Sequence, residues 1–173
     1  MEYPQEEYNK FYILQALFKL MAEYEYEKIS VIDIANKAGV SRATFYRNFK
    51  RKEDIIVYYF KHHEKEFQLN NRYYPRCKDD YIKTVTNVLT VFSQQKKQIK
   101  LIRKARLEYL YSDYLNESFS LMFQNEYPEA DKYQPYLYAG MLFNVCIAWL
   151  DNDCADPIPP LAELIVSAIY FDK

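Results

Sequence analysis

The sequence predicts an all-α protein, and three observations support that prediction. Only two of the 173 residues are glycine, so tight hairpins and long irregular loops should be scarce. Apolar residues recur at helical spacing in segments along most of the chain. Half of the residues are apolar and 18% are aromatic, which permits a sizeable buried core and excludes a disordered chain. A chain of this length forms one compact unit or a small head on a larger body.

The first three helices are predicted from periodicity and from their end signals. An amphipathic helix runs from Tyr8 to Tyr24. A second begins after Ser30, because Ser30-Val31-Ile32-Asp33 has the form of a capping box. Gly39 follows where a left-handed residue ends a helix, and Ser41 is the N-cap of a third helix, Arg42 to Phe49. The turn at Gly39 should therefore join two short helices at a steep angle.

The third helix has one packing face and one presented face. Phe45 and Phe49 lie four positions apart and should pack together, while basic, hydroxyl and aromatic side chains fall on the other sides. Within residues 34–52 every charged residue is basic, namely Lys37, Arg42, Arg47, Lys50, Arg51 and Lys52. The net charge of the whole chain is only −1, so any affinity for a polyanion must come from a local patch such as this one.

Two short helices joined at a glycine turn form a helix-turn-helix, a homeodomain-like unit whose second helix fits the DNA major groove. The segment IANKAGVSRATFYRNFKRKEDI, residues 34–55, resembles the signature of the TetR/AcrR family of one-component regulators, and the resemblance covers roughly residues 8 to 60. Many members carry glycine where this chain has Ala43 and histidine where it has Asn48. Ala43 should still allow close approach to DNA, whereas Asn48 leaves the operator sequence open.

The resemblance implies which residues contact double-stranded DNA. Arg42 and Thr44 are the candidates for base contacts, and phosphate contacts fall to Ser30, Tyr46 and Lys52. The complete predicted set is Ser30, Ser41, Arg42, Ala43, Thr44, Tyr46, Arg47, Asn48 and Lys52. The alternative is a solvated surface of a small helical bundle, which the surrounding motif disfavours.

Six further helices are predicted downstream, which makes nine in all. They are Lys52 to about Asn70, Tyr81 to Phe92, Ile99 to Lys104, Leu107 to Glu126, Tyr133 to Asp151 and Leu161 to Tyr170. Tyr73-Tyr74-Pro75-Arg76 should interrupt the chain after the first of these, and Pro157-Ile158-Pro159-Pro160 should precede the last. The predicted domains are a DNA-binding head, residues 1–51, and an effector-binding and dimerisation body, residues 52–173.

A homodimer is predicted from the apolar segment Leu137 to Leu150, which must be covered on more than one side. With the last helix it would form a two-fold four-helix interface, in agreement with the family's dimerisation through its last two helices. The candidate interface residues are Gly140, Phe143, Ile147, Leu164, Ile165 and Ala168. Two heads could then bind the two halves of a palindromic operator.

The family-like head joined to an aromatic-rich body predicts a repressor that responds to a small-molecule effector. The candidate pocket residues are Phe92, Tyr109, Tyr111, Phe123 and Trp149, although aromatic residues at helical spacing more often form core. The alternative function is a family paralogue that acts as an activator or co-regulator through a protein partner.

Other chemistry finds little support in the sequence. The basic run Lys96 to Arg106 is interpreted as a solvated helix face. His62 and His63 with Glu66 lack a further metal ligand. Phosphate-binding glycine loops and a nucleophile elbow are absent from the sequence, so neither an enzyme nor a cofactor is expected. Without a CxxC spacing, a signal peptide or a membrane span, the chain should be cytoplasmic.

Overall fold

The computed structural model describes residues 5–70 and 77–169, and within those ranges the regular structure is helical. The α-helices are α1 Gln5–Glu23, α2 Val31–Ala38, α3 Arg42–Asn48, α4 Lys52–Asn70, α5 Lys78–Gln94, α6 Lys96–Lys104, α7 Tyr109–Glu126, α8 Gln134–Asp151 and α9 Ile158–Ile169. A short 3-10 turn, Tyr26–Lys28, precedes α2. The predicted all-α fold class is confirmed.

The end signals of α2 and α3 operate as the sequence predicted. The Ser30 hydroxyl accepts a hydrogen bond from the Asp33 amide at 3.2 Å, and the Asp33 carboxylate accepts one from the Ser30 amide at 2.9 Å. Gly39 ends α2 in the left-handed conformation, with φ of 70°. The Thr44 amide donates to the Ser41 hydroxyl at 3.0 Å, which caps α3. These bonds fix the two short helices from both sides of the turn.

Several helix ends differ from the predicted ones. Pro159 and Pro160 were expected to precede α9 but lie within its first turn, because proline there removes only amides that have no helical partner. Phe49 follows α3 in an extended conformation instead of ending it as a helical residue. The predicted interruption at residues 73–76 and the predicted last helical residue, Tyr170, lie outside the described residues.

The chain divides into two compact units, and the first combines Met1–His62 with Gln98–Leu110. In this unit α1 packs against α2 and α3, and the start of α4 joins the same core. The ring of Tyr59 on α4 lies edge-on to that of Phe18 on α1, with centroids 5.0 Å apart. Ile55 and Ile56 of α4 are fully buried. We call α1 to α3 with the start of α4 the head.

The second unit combines His63–Lys97 with Tyr111–Lys173, and we call it the body. Within it α5 packs against α9 and α8. The buried side chains include Leu89 on α5, Cys146 on α8 and Val166 on α9. The indole of Trp149 donates to the carbonyl of Asp156 at 3.1 Å, which holds the turn between α8 and α9.

None of the helices in the described ranges combines the length and the apolar character that a membrane span requires.

Candidate nucleic-acid interface

Helix α3 divides its residues between the core and the surface. Phe45 is completely buried and Phe49 nearly so, and their rings lie 6.2 Å apart. Arg42, Ala43, Tyr46 and Arg47 are exposed, and Tyr46 keeps 47% of its surface accessible. The buried phenylalanines fix the rotation of the helix, so its basic and aromatic side chains point outward together.

Arg42 and Tyr46 form an organised pair on this exposed face. The Arg42 guanidinium lies over the Tyr46 ring, 5.5 Å from its centroid, and the Tyr46 ring meets Phe45 edge-on at 5.4 Å. A cation over an aromatic face is held by the ring quadrupole, and the ring here rests on a core residue. The pair therefore presents a guanidinium whose orientation is restricted before any partner arrives.

Three residues of the predicted set instead make hydrogen bonds to one another along α3 and its N-cap. The hydroxyl oxygens of Ser41 and Thr44 lie 2.9 Å apart at the N-cap. The Asn48 amide nitrogen donates to the Thr44 carbonyl at 2.7 Å, and its Oδ1 atom is buried without a hydrogen-bond partner among the described residues. The Asn48 side chain thus lies along its own helix, whereas the sequence placed it among residues that reach DNA.

Ser30 and Lys52 are also engaged inside the head. The Ser30 hydroxyl donates to the Asp33 carboxylate at 2.6 Å, in addition to its capping bond. The Lys52 ammonium donates to the carbonyls of Tyr26 and Ile29 at 2.9 and 2.7 Å. The predicted DNA-binding residues therefore fall into two groups, one presented to solvent and one bonded within the head.

Lys37, Lys50 and Arg51 belong to the predicted basic patch but not to the predicted DNA-contact set, and they are exposed on α2 and on the turn after α3. The backbone amides of Lys50 and Arg51 both donate to the Asp54 carboxylate at 2.9 Å. This carboxylate shapes the connection between α3 and α4, while the basic side chains extend outward. The signal for these residues was available, because they belong to the same all-basic segment as Arg42 and Arg47.

Acidic groups are also found near the presented face. The pKa of Glu6 on α1 is lowered chiefly by its hydrogen bond with Lys10, and Arg47 of α3 contributes to the same shift. The Arg51 guanidinium lies 3.6 Å from the Asp54 carboxylate. The basic surface formed by α3 and the turn after it is therefore bordered by carboxylates, which limits its extent.

Two other charged clusters, the histidine pair and the second basic run, were singled out in the sequence. Among the described residues no group of three or more His, Cys, Asp or Glu side chains could hold a metal ion, and the side chain of Glu66 lies outside the described part. In the second basic run, Lys96 pairs with Asp153 at 3.2 Å and Arg103 with Glu108 at 3.0 Å. Lys97, Lys100, Lys104 and Arg106 are exposed.

The helix-turn-helix segment is also similar in sequence to known proteins. The family model described as "Bacterial regulatory proteins, tetR family" matches residues 13–59, from α1 into α4. Over residues 13–59 the chain is therefore similar to TetR-family transcriptional regulators. The TetR match covers every residue on the presented face of α3.

One curated relative matches the head, and solved structures match the fold of the whole chain. The fatty acid metabolism regulator protein of Bacillus subtilis is 43% identical over 49 residues, which are 28% of this chain and only 25% of that relative. The solved structure of Lin0861 from Listeria innocua covers 97% of this chain and 93% of its own, with 20% identity and a TM-score of 0.80. FadR from Bacillus halodurans covers 96% and 95%, with 19% identity and a TM-score of 0.57.

The predicted effector residues fall in different places. Phe92 and Trp149 are buried and stack with ring centroids 6.2 Å apart, and Tyr111 joins them at 6.1 Å from Phe92. Phe123 belongs to another cluster, 5.2 Å from Tyr138. Tyr109 is half exposed and belongs to the first unit. Three of the five predicted residues are thus brought together.

The predicted dimer residues also differ in exposure. Leu164 is 66% exposed and Ala168 is exposed on α9, whereas Ile165 beside them is buried in its own chain. On α8, Gly140 and Phe143 are half-buried and Ile147 is buried. A methyl group added to Gly140 would meet nothing within 4 Å. Leu164 and Ala168 are therefore the members of this set most accessible to another molecule.

Proposed function

We propose that this chain is a TetR-family regulator, a homodimeric repressor that binds a palindromic operator and releases it when a small molecule enters the body. The observation that carries the proposal is the presented face of α3, where Arg42, Ala43, Tyr46 and Arg47 stand exposed on a helix anchored by Phe45. A helix held in this way enters the major groove with its side chains directed at base edges.

The roles follow from chemistry and position. Arg42 is the base-reading residue, and a guanidinium recognises guanine through two parallel hydrogen bonds to O6 and N7. The small Ala43 next to it lets the helix backbone approach the bases. Tyr46 supports Arg42 through its ring and donates its hydroxyl to the DNA backbone. Lys37, Lys50 and Arg51, exposed beside α3, supply phosphate contacts that strengthen binding without reading sequence.

The DNA-binding part is tested with a duplex selected from a random library on the full-length protein. Arg42→Ala combined with Tyr46→Ala should weaken binding of that duplex by about 100-fold in fluorescence anisotropy, since the lost base contact of Arg42 typically costs 1–3 kcal/mol and the backbone contact of Tyr46 is lost with it. Lys97→Ala, which removes an exposed lysine of α6, should bind as the unaltered protein does. Equal binding by the double variant would overturn the assignment of α3 as the recognition helix.

Dimerisation is proposed through α8 and α9. An exposed leucine at position 164 and the open space above Gly140 support close packing of these helices against those of a second copy. A two-fold dimer would present two recognition helices about one helical turn of DNA apart, which explains why a palindromic operator is expected.

A long-chain acyl-CoA is the effector class that we propose first. The related regulator FadR of Bacillus subtilis was solved in complex with stearoyl-CoA, and it shares 19% identity with a TM-score of 0.54. In this chain, an aromatic cluster around Phe92 and Trp149 lies in the body, where an acyl chain would find apolar surroundings.

The single tryptophan makes this proposal directly measurable. Trp149 is the chain's one tryptophan, so its fluorescence reports on the aromatic cluster alone. Stearoyl-CoA should change that emission and release the selected duplex at the same concentrations, whereas free CoA should do neither. Unchanged emission together with an intact protein–DNA complex would contradict the acyl-CoA proposal and leave DNA recognition by α3 untouched.

The second candidate is an activator or co-regulator that acts through a protein partner. Exposed apolar side chains in the body, Leu121 at 54% and Leu137 at 68%, favour a protein contact there. Transcription with purified RNA polymerase from a promoter carrying the selected sequence separates the two candidates. A repressor lowers transcript yield, while an activator raises it.

A further inference from the structure

A bonded cluster connects the first turn of α4 to the turn that leads into α2. The Lys52 ammonium donates to the carbonyls of Tyr26 and Ile29 at 2.9 and 2.7 Å and lies 4.2 Å from the centroid of the Tyr26 ring. The Tyr26 hydroxyl donates to the Glu53 carboxylate at 2.9 Å. We call Tyr26, Ile29, Lys52 and Glu53 the α4 clamp.

We propose that Lys52 is a positioning residue of the DNA interface, which closes the helix-turn-helix at its base through the α4 clamp instead of binding a phosphate. The proposal rests on the proposed function, because it assigns a role within DNA recognition by α3. It differs from the expectation drawn from the sequence, in which Lys52 contacts the DNA backbone.

Two of the three donors of Lys52 are already directed into the protein. An ammonium group has three N–H donors, and two of them are engaged by carbonyls at short, charge-assisted distances. The ammonium also lies against the face of Tyr26, which attracts a cation. Tyr26 is only 7% exposed, and burial together with the Glu53 carboxylate raises its pKa, so the phenol stays a donor. Moving the Lys52 ammonium to a phosphate would break its two hydrogen bonds and its contact with the Tyr26 ring.

The α4 clamp holds both ends of the DNA-binding segment at one place. Ile29 immediately precedes the N-cap residue Ser30, and Lys52 is the first residue after the turn that follows α3. The chain from Ser30 to Arg51 is therefore a closed loop that contains α2, the Gly39 turn and α3. Opening the clamp would free the entry and the exit of this loop, which would broaden the range of orientations that α3 samples.

The salt dependence of DNA binding separates positioning from phosphate contact. Each phosphate contact contributes about 0.9 to the slope of log K against log salt concentration. Lys52→Met should weaken binding of the selected duplex about tenfold with an unchanged slope, since it removes bonds to a charged group without removing a phosphate contact. Lys50→Met, which removes an exposed lysine two positions away, should reduce the slope by about 0.9. A reduction of that size for Lys52→Met would overturn the proposal.

Tyr26→Phe tests the α4 clamp without touching a charge, and it serves even if Lys52→Met fails to fold. Because Tyr26 is buried, its hydroxyl acts only through Glu53, and its loss should weaken binding about threefold at an unchanged slope. The double variant should bind no more weakly than Lys52→Met alone, because both changes open the same clamp.

Tyr58→Phe is the matched control for this variant, since it removes another partly buried hydroxyl, which donates to Glu7 at 3.1 Å. Tyr58→Phe should leave affinity unchanged. Affinity unchanged in Tyr26→Phe as well would overturn the proposal. Failure of the unaltered protein to select any duplex would contradict the proposed function instead.

Discussion

The head and the body carry their candidate functional residues in opposite environments. In the head, Arg42, Tyr46 and Arg47 are exposed and polar or amphipathic, on a helix whose core contacts are made by other residues. In the body, Phe92 and Trp149 are buried in the hydrophobic core. An exposed residue of the head does not pack in the core, so a binding role can be assigned to it. A buried aromatic residue of the body packs in the core whether or not a ligand is present.

This difference explains why the side chains of α3 indicate which class of molecule they bind, whereas the aromatic residues of the body indicate only an apolar environment. Exposed arginines on a short helix match the phosphates and base edges of DNA in charge and in geometry. Stacked aromatic rings match any apolar molecule. The exposed residues of the head therefore indicate DNA as the partner. The ligand of the body can be identified only from a structure with the ligand bound.

The largest effect that would test this comparison concerns the exposed leucine of α9. Leu164→Glu introduces a charge at a position that is 66% exposed in the single chain, so each chain should fold normally. In a dimer that covers this position the charge would be buried without a partner, and the dissociation constant should rise by at least about 100-fold. Analytical ultracentrifugation measures the change directly.

Tyr12→Glu provides the control for that substitution, because Tyr12 is an apolar position of the head with 52% exposure. It should leave the oligomeric state unchanged. An equal shift in both variants, or none in Leu164→Glu, would remove α9 from the proposed interface and leave the body without an assigned surface.

The two glycines give a smaller effect, with opposite signs in the two regions. Gly39 has φ of +70°, and an alanine in that conformation costs about 1–2 kcal/mol of folding free energy. Gly140 lies inside α8 with open space above it, so alanine there should stabilise the chain by about 0.5–1 kcal/mol. Both free energies come from urea unfolding in the Leu164→Glu background, where dimerisation does not contribute. A Gly39→Ala variant as stable as the unaltered protein would mean that a side chain does not strain the Gly39 turn.

Features of the head that depend on neighbouring residues were predictable from the sequence. The caps at Ser30 and Ser41 and the left-handed Gly39 each involve positions three or four apart. Such short-range contacts can be predicted from the sequence alone. The role of Lys52 was not predictable in this way. Its partners Tyr26 and Ile29 precede it by 26 and 23 residues, and only the folded head brings them together.

In the body, periodicity predicted that helices exist but not which of their aromatic residues meet. Phe92 and Trp149 come from α5 and α8 and stack together, while Phe123 of α7 packs beside Tyr138 in another cluster. Phenylalanine, tyrosine and tryptophan fit a helical core equally well, so their spacing in the sequence does not predict which of them pack together. Packing between helices that are far apart in sequence decides the grouping.

The smallest predicted effect is the pH dependence of the α2 cap. Hydrogen bonds from the Ser30 hydroxyl and amide hold the pKa of Asp33 below its ordinary value of 3.8. A carboxyl whose pKa is lower in the folded state stabilises the protein above the unfolded value, and this contribution is lost as the pH falls through the folded value. Asp33→Asn should therefore unfold at lower urea concentration than the unaltered protein at pH 6, and the difference should shrink towards pH 3.

Glu129→Gln, an exposed substitution between α7 and α8, should follow the unaltered protein throughout. A constant difference between Asp33→Asn and the unaltered protein across this range would mean that ionisation of Asp33 does not hold the head together, and that the head depends on its core as much as the body does.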